Sequence, residues 1–154
     1  MKLITLLSFC LISCCVSAQR IVTGKVIDEF ELMAIPGAKI MSRDNQELAT
    51  TGLNGEFKTE IPAGTDSLLI GSVGMEWASI RVSANCDRLE IIMMYDGTFD
   101  FMTLRLVDKR RYKRFKSLDR KHERAFKIGV FTSASPCISY AFQKYWVKSI
   151  DSDE

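Results

Sequence analysis

Ile35-Pro36-Gly37-Ala38-Lys39-Ile40 and, a short way on, Ala49-Thr50-Thr51-Gly52-Leu53-Asn54-Gly55-Glu56-Phe57 are the stretches whose reading decides the fold. Pro36 fixes its own φ and Gly37 admits positive φ, so the pair makes a tight turn into a strand expected over Ala38 to Ser42. Arg43 to Gln46 reads as the next turn and Glu47 to Thr51 as a short strand. Asn54-Gly55 is the strongest hairpin signal in the chain, and it leads into Glu56 to Ile61, where apolar residues take every second position. Runs of period two cut by turn residues describe a sheet, and no helical period competes in this half of the chain.

The same pattern extends in both directions. On the N-terminal side, Arg20 to Asp28 is β-branched and roughly alternating. Gly24 within it suggests a bulge or a close backbone approach, and Asp28 to Glu31 a polar turn. On the C-terminal side, Pro62 to Asp66 interrupts, and three apolar strands are expected over Ser67 to Ser72, Glu76 to Val82 and Arg88 to Tyr95, with Gly74 in the turn between the first two. Leu68, Ile70, Ile80, Val82, Leu89, Ile91 and Met93 are the expected inward-facing residues. Short strands about ten residues apart predict a seven-stranded antiparallel β-sandwich. The chain has 154 residues, 47% of them hydrophobic, which suffices for one core and not for two. One domain over residues 19–96 with an extension over 97–154 is therefore expected.

Gly24-x-Val26-x-Asp28, Pro36-Gly37-Ala38, Ala49-Thr50-Thr51 with Asn54-Gly55-x-Phe57, Leu68-x-Ile70-x-x-Val73-Gly74, Ile80-x-Val82 and Leu89-x-Ile91 follow in an order and spacing that resemble the carboxypeptidase regulatory-like domain family. The resemblance covers residues 20 to 95. It implies a transthyretin-like sandwich of the kind found behind the signal peptides of secreted and outer-membrane proteins of Gram-negative bacteria, including TonB-dependent transporters. Gly71-Ser72 and Met75 depart from the family pattern, where Ser-Tyr and an aromatic are usual. These motifs are turn and core residues. They imply no catalytic site, and the single histidine of the chain, His122, cannot build a two-histidine metal site.

Lys2, the apolar run Leu3 to Ile12 and Val16-Ser17-Ala18 make residues 1–18 an expected secretory signal, cut before Gln19. Leu11-Ile12-Ser13-Cys14 also resembles a lipobox, so acylation at Cys14, giving a lipoprotein, is the alternative. Either route leads out of the cytoplasm, to the periplasm, the outer membrane or the cell surface. Cleavage after Ala18 leaves two cysteines, Cys86 and Cys137, in an oxidising compartment. An even pair suggests a bridge, and spacing alone leaves two separate thiols equally open. With no C-x-x-C pair, neither redox nor zinc chemistry is indicated, and no cofactor is expected.

In the extension, Asp96-Gly97 is a turn signal and Thr98 to Met102 is an expected strand. The charge then segregates. From Arg105 to Lys127 eleven Lys and Arg stand against three Asp and Glu, a formal +8 in a chain whose total is +2. Leu104, Val107, Phe115, Leu118, His122 and Ala125 or Phe126 share one helical stripe, with Arg111 or Tyr112 filling its gap. One basic amphipathic helix over 104–127 is the expectation, ended by Gly129 or Val130. Its back carries Lys109, Arg110, Lys113, Arg114, Lys116, Arg120, Lys121 and Arg124. That face either is simply solvated or meets an anionic surface such as phospholipid headgroups, lipopolysaccharide or an acidic envelope protein. Export argues against nucleic acid. His122 is expected to pack. Cys137 to Val147 is rich in aromatics and fits a strand and a helix equally well, and the acidic end from Ser149 is expected to fray.

No general acid–base pair, metal cluster or activated nucleophile is visible, so no enzyme is expected. The composition and motifs indicate a non-catalytic exported module for binding or assembly at the bacterial cell envelope. The alternative is a small carbohydrate- or peptide-binding protein, its ligand laid along a sheet edge or stacked on Trp77 or Trp146.

Overall fold

The computed structural model describes residues 19–146. The expected signal segment with Cys14, and the acidic end from Ser149, lie outside the described residues. Strands β1 (Gln19–Asp28), β2 (Lys39–Met41), β3 (Glu47–Thr50), β4 (Glu56–Pro62), β5 (Ser67–Gly71), β6 (Ala78–Val82) and β7 (Arg88–Met93) are followed by helices α1 (Leu104–Phe115) and α2 (Leu118–Lys127) and strand β8 (Ile138–Ala141). They pair into a three-stranded sheet, β4-β1-β7, and a five-stranded sheet, β3-β2-β5-β6-β8. Val22, Val26, Phe57, Ile61, Leu89, Ile91 and Met93 of the first pack on Ile40, Leu68, Ile70, Ile80, Val82 and Ile138 of the second. This is the expected sandwich, and all seven expected inward-facing residues are buried.

The two opening stretches meet in space. The Thr51 hydroxyl accepts from the Ala38 amide at 2.8 Å and donates to the Ile35 carbonyl at 2.7 Å. Gly37 N–H donates to the Thr51 carbonyl at 2.9 Å. Gly37, with φ of 70°, and Gly55, with φ of 74°, occupy the left-handed region where a side chain is strained. The Asn54 side-chain carbonyl accepts from the Glu56 amide at 3.2 Å, and Gly74 turns with φ of 76° between β5 and β6. Gly24 answers to a close approach. A Cβ there would overlap the Phe57 ring and the Leu89 carbonyl oxygen of the two neighbouring strands. Gly24→Ala is therefore expected to cost about 1–3 kcal/mol, read as a lower urea midpoint at unchanged slope.

Four expectations are corrected. The sandwich is not antiparallel throughout: β1 runs parallel to β7, Thr23 opposite Arg88 through Asp28 opposite Met93. Residues 83–87 cross from one sheet to the other and enter beside β1 in its own direction, the strands between supplying the long connection a parallel pair needs. Thr98 to Met102 is loop and turn. The position is already used, since Tyr95 bridges Met75, and Phe101 turns with φ of 61°. The helix over 104–127 is two helices, because the Ser117 hydroxyl donates to the Arg114 carbonyl at 2.6 Å and competes with the backbone ladder there. The sandwich gains an eighth strand, β8, which pairs antiparallel with β6.

α2 stops at a Schellman turn. Gly129, with φ of 75°, donates to Phe126, and Val130 donates to Ala125. The following segment returns to the sandwich, where Cys137 is joined to Cys86 with Cα atoms 5.7 Å apart.

Candidate functional site

The two helices lie on the outer face of the three-stranded sheet, over a second apolar cluster of Ile27, Leu32, Ile92, Met94, Leu118, Ala125 and Phe131. Their inward stripe runs Val107, Arg111, half-buried Phe115, Leu118, His122 and Ala125, unbroken across the kink. The gap is filled by Arg111, which is 4% exposed, and Tyr112 points out. Leu104, expected on the stripe, is 53% exposed, and of the alternatives Ala125 and Phe126 it is Ala125 that is buried, Phe126 being 41% exposed.

Inward cations need acids beneath them, and three buried carboxylates of the sandwich and helix supply them. Arg111 donates to Glu76 through Nε at 3.0 Å and Nη2 at 2.8 Å, to Asp108 Oδ1 at 3.0 Å and to the Gln143 carbonyl at 2.9 Å. Its guanidinium lies 3.6 Å from the centre of the Tyr145 ring. Asp108 in turn accepts the Tyr145 and Trp146 amides at 3.0 and 2.9 Å, which fastens the aromatic end of the chain to α1. Glu29, wholly buried, accepts from Arg114, from Lys121 Nζ at 2.7 Å and from the Tyr95 amide at 3.1 Å.

Burial alone would raise the Glu29 carboxyl, but hydrogen bonds from Arg114 and Lys121, with their charge, outweigh it and hold the group below its ordinary value. A lowered folded value means that the contribution of Glu29 is fully present above the ordinary carboxylate range and is lost as pH falls through the folded value. Stability is expected to be level above about pH 5 and to fall on acidification below about pH 4, and Glu29→Gln should flatten part of that fall. Urea midpoints across this range test it; an identical acid slope in the variant would remove Glu29 from the account.

Glu90 closes the far end of α2, accepting the Thr132 hydroxyl at 2.7 Å and the Thr132 and Ser133 amides at 2.5 and 3.2 Å. His122, 1% exposed, packs on Phe131 with ring centres 4.8 Å apart and places Nε2 3.0 Å from the Ser133 carbonyl. Among the described residues its Nδ1 meets no hydrogen-bond partner.

The division of charge follows. Of the eleven cations, Arg111, Arg114 and Lys121 turn inward on Asp108, Glu29 and Glu76, three against three. Arg114 and Lys121 thereby leave the outward set expected from the sequence. Among the described residues of this segment, Arg105, Lys109, Arg110, Lys113, Lys116, Arg120, Arg124 and Lys127 remain exposed with only Asp119 and Glu123, so the outer face carries six net positive charges. Lys127 pairs with Glu123 at 2.6 Å. The buried acids were missed in the sequence because Glu29 sits in a polar turn and Glu76 at a strand end. Glu90 carried a signal: flanked by Leu89 and Ile91, it shares a face with Ile92 and Met94, which marks a strand buried on both sides.

The outer face of the five-stranded sheet holds a second feature. Trp77, 58% exposed, lies against Gly71, where a Cβ would come within 3.2 Å of the indole, beside a groove of about 320 Å³ that Met41 and Val73 help to line. Trp146 is 40% exposed, with Arg105 6.0 Å from its ring. Among the described residues no helix is long and apolar enough to cross a membrane, and no group of three or more His, Cys, Asp or Glu could hold a metal ion.

Compared with known families, residues 22–100 match the CarboxypepD_reg-like domain. No curated protein matches the chain. Solved structures that resemble parts of it include the following two. One is the cryo-EM structure of an E. coli P pilus tip assembly intermediate, PapC-PapD-PapK-PapG, at 12% identity over 55% of this chain and 10% of that one, with a TM-score of 0.40. The other is the crystal structure of the C-terminal domain of the PapC usher, at 13% identity over 51% of this chain and 100% of that one, with a TM-score of 0.34. Likenesses of this strength carry no functional inference.

Proposed function

Since the chain belongs to the CarboxypepD_reg-like domain family, we propose that it is a non-catalytic module of the bacterial cell envelope that meets an anionic surface through the outer face of α1 and α2. The observation that carries the proposal is the partition of charge: three cations are neutralised inward, and eight exposed ones share a face with two carboxylates. Lys109, Arg110, Lys113, Lys116, Arg120 and Arg124 are the contact residues. Placement in the envelope rests on the signal pattern of residues 1–18.

Each basic residue near an anionic membrane is worth about 1 kcal/mol, so half of this face gives measurable, salt-sensitive binding. The secreted form is expected to co-sediment with vesicles containing phosphatidylglycerol and not with pure phosphatidylcholine. The bound fraction should collapse at about 0.5 M salt, where screening is complete within a few ångströms. Lys109→Glu with Lys113→Glu should lower the partition coefficient about tenfold or more. Equal sedimentation with both vesicle types would sink the proposal.

The exposed Trp77 favours a second reading, a carbohydrate or peptide stacked on the opposite face. It is separated by salt, because stacking persists where phosphate contacts are screened.

A further inference from the structure

β8 ends the five-stranded sheet, with β6 on one side and, among the described residues, no strand on the other. Among the described residues, no hydrogen bond other than its pairing with β6 reaches the backbone of Ile138 to Ala141. A strand in that position holds half of its amides and carbonyls outward, and those groups are the template for another strand. Contacts reach the edges of β7 and β3. The Ile92 amide of β7 donates to the Tyr140 hydroxyl at 2.6 Å, Glu76 N–H donates to the Met94 carbonyl at 2.8 Å, and the Thr59 hydroxyl of β4 donates to Leu48 of β3 at 2.9 Å.

A groove of about 420 Å³ runs between Ile138, Ser139 and Tyr140 on one side and the α1–α2 junction on the other, with Phe115 and Leu118 apolar and Lys116 and Asp119 charged. Both ends of β8 are held. Cys137, immediately before it, is bonded to Cys86, and the Gln143 carbonyl, just beyond it, accepts from Arg111 at 2.9 Å. A strand held at both ends loses little freedom on gaining a neighbour.

We propose that this edge accepts an extended segment of a partner polypeptide, which adds a strand to β8 and fills the groove. Main-chain hydrogen bonds along Ile138 to Ala141 supply affinity, and side chains at alternate positions supply specificity. One side set descends onto Phe115 and Leu118 and is apolar. The other passes exposed Lys116 and Arg120, with Asp119 the opposing acid, so the segment carries net negative charge. The proposal goes beyond the anionic-surface reading and does not depend on it, since the backbone ladder is indifferent to salt.

The test uses the disulfide-bonded secreted form, ¹⁵N-labelled, and a pool of short peptides in which Glu or Thr alternates with Val, Ile, Leu or Phe. It is run at about 0.5 M salt, where headgroup contacts are screened. The expected result is shift changes and slowed amide exchange confined to Ile138 to Ala141 and Lys116 to Asp119, lost when the same pool is N-methylated at alternate residues. When the test is repeated at about 0.05 M salt, Lys116→Glu should weaken the interaction about tenfold while leaving the unfolding midpoint unchanged. No change at β8 with the pool at millimolar concentration, equal binding of the N-methylated pool, or shifts centred on Trp77 would each overturn the proposal. So would protection of β8 that grows with protein concentration alone, because the occupant would then be a second copy of this chain.

Discussion

Replacing Arg111 with methionine is expected to lower stability by about 3–5 kcal/mol, a larger loss than truncating any exposed residue of the same helix. The size follows from what stays behind. Burial alone would depress the guanidinium, but the Glu76 and Asp108 carboxylates hold its affinity for a proton raised. Asp108, which burial would push up, is held down by the Tyr145 and Trp146 amides and by Arg111. Without Arg111 two carboxylates remain under the helix. Among the described residues Glu76 Oε1 already lacks a hydrogen-bond partner, and the other cation beside it, Arg114, stands 3.7 Å away. Urea unfolding with a Trp77→Phe background, so that Trp146 reports alone, should show both the lower midpoint and an early loosening of the aromatic end. Glu76→Gln combined with Arg111→Met should recover part of the loss, since the orphaned charge causes most of it. A loss under about 1 kcal/mol would mean that the network behaves as a screened surface pair.

The bond between Cys86 and Cys137 is the second large term. It closes a loop with a sequence separation of 51 that contains β7 and both helices. Restricting the unfolded chain over that length is worth about 4 kcal/mol in the chain-entropy account. For a domain of this size, Cys86→Ser with Cys137→Ser should lower Tm by on the order of 10 °C. The loss should also be uneven. β1 to β6 keep their pairings without the bond, whereas β8 has one neighbouring strand and four residues. The variant is therefore expected to lose amide protection first along Ile138 to Ala141 and at the Tyr140 hydroxyl contact with Ile92. Coincident melting of reduced and oxidised protein would show that the bridge ties segments already held by other contacts.

Most of the sandwich was legible because its instructions are local. Pro36-Gly37 and Asn54-Gly55 constrain their own dihedrals, and period-two alternation names the face that each residue takes once a strand forms. The helical stripe was legible for the same reason, except that the sequence left Arg111 and Tyr112 both open for its gap and packing chose Arg111. The kink at Ser117 was not, since a serine breaks a helix only if its hydroxyl takes the carbonyl below. Nor was the cationic face legible in full. Charge counting assigned Arg114 and Lys121 outward with the rest, and only packing against Glu29 turns them in.

The amino-acid sequence by itself determined the strands, their turns, the core and the segregation of charge into one segment, because these depend on residues within a few positions of one another. The tertiary structure alone decided that β7 runs parallel to β1, that β8 extends the second sheet, that Cys86 meets Cys137, and that three cations are neutralised while eight are left to solvent. Apart from the Asp108–Arg111 pair, those outcomes join positions between 35 and 92 residues apart, as with Glu76 and Arg111 or Glu29 and Lys121, and no local propensity acts over such a distance.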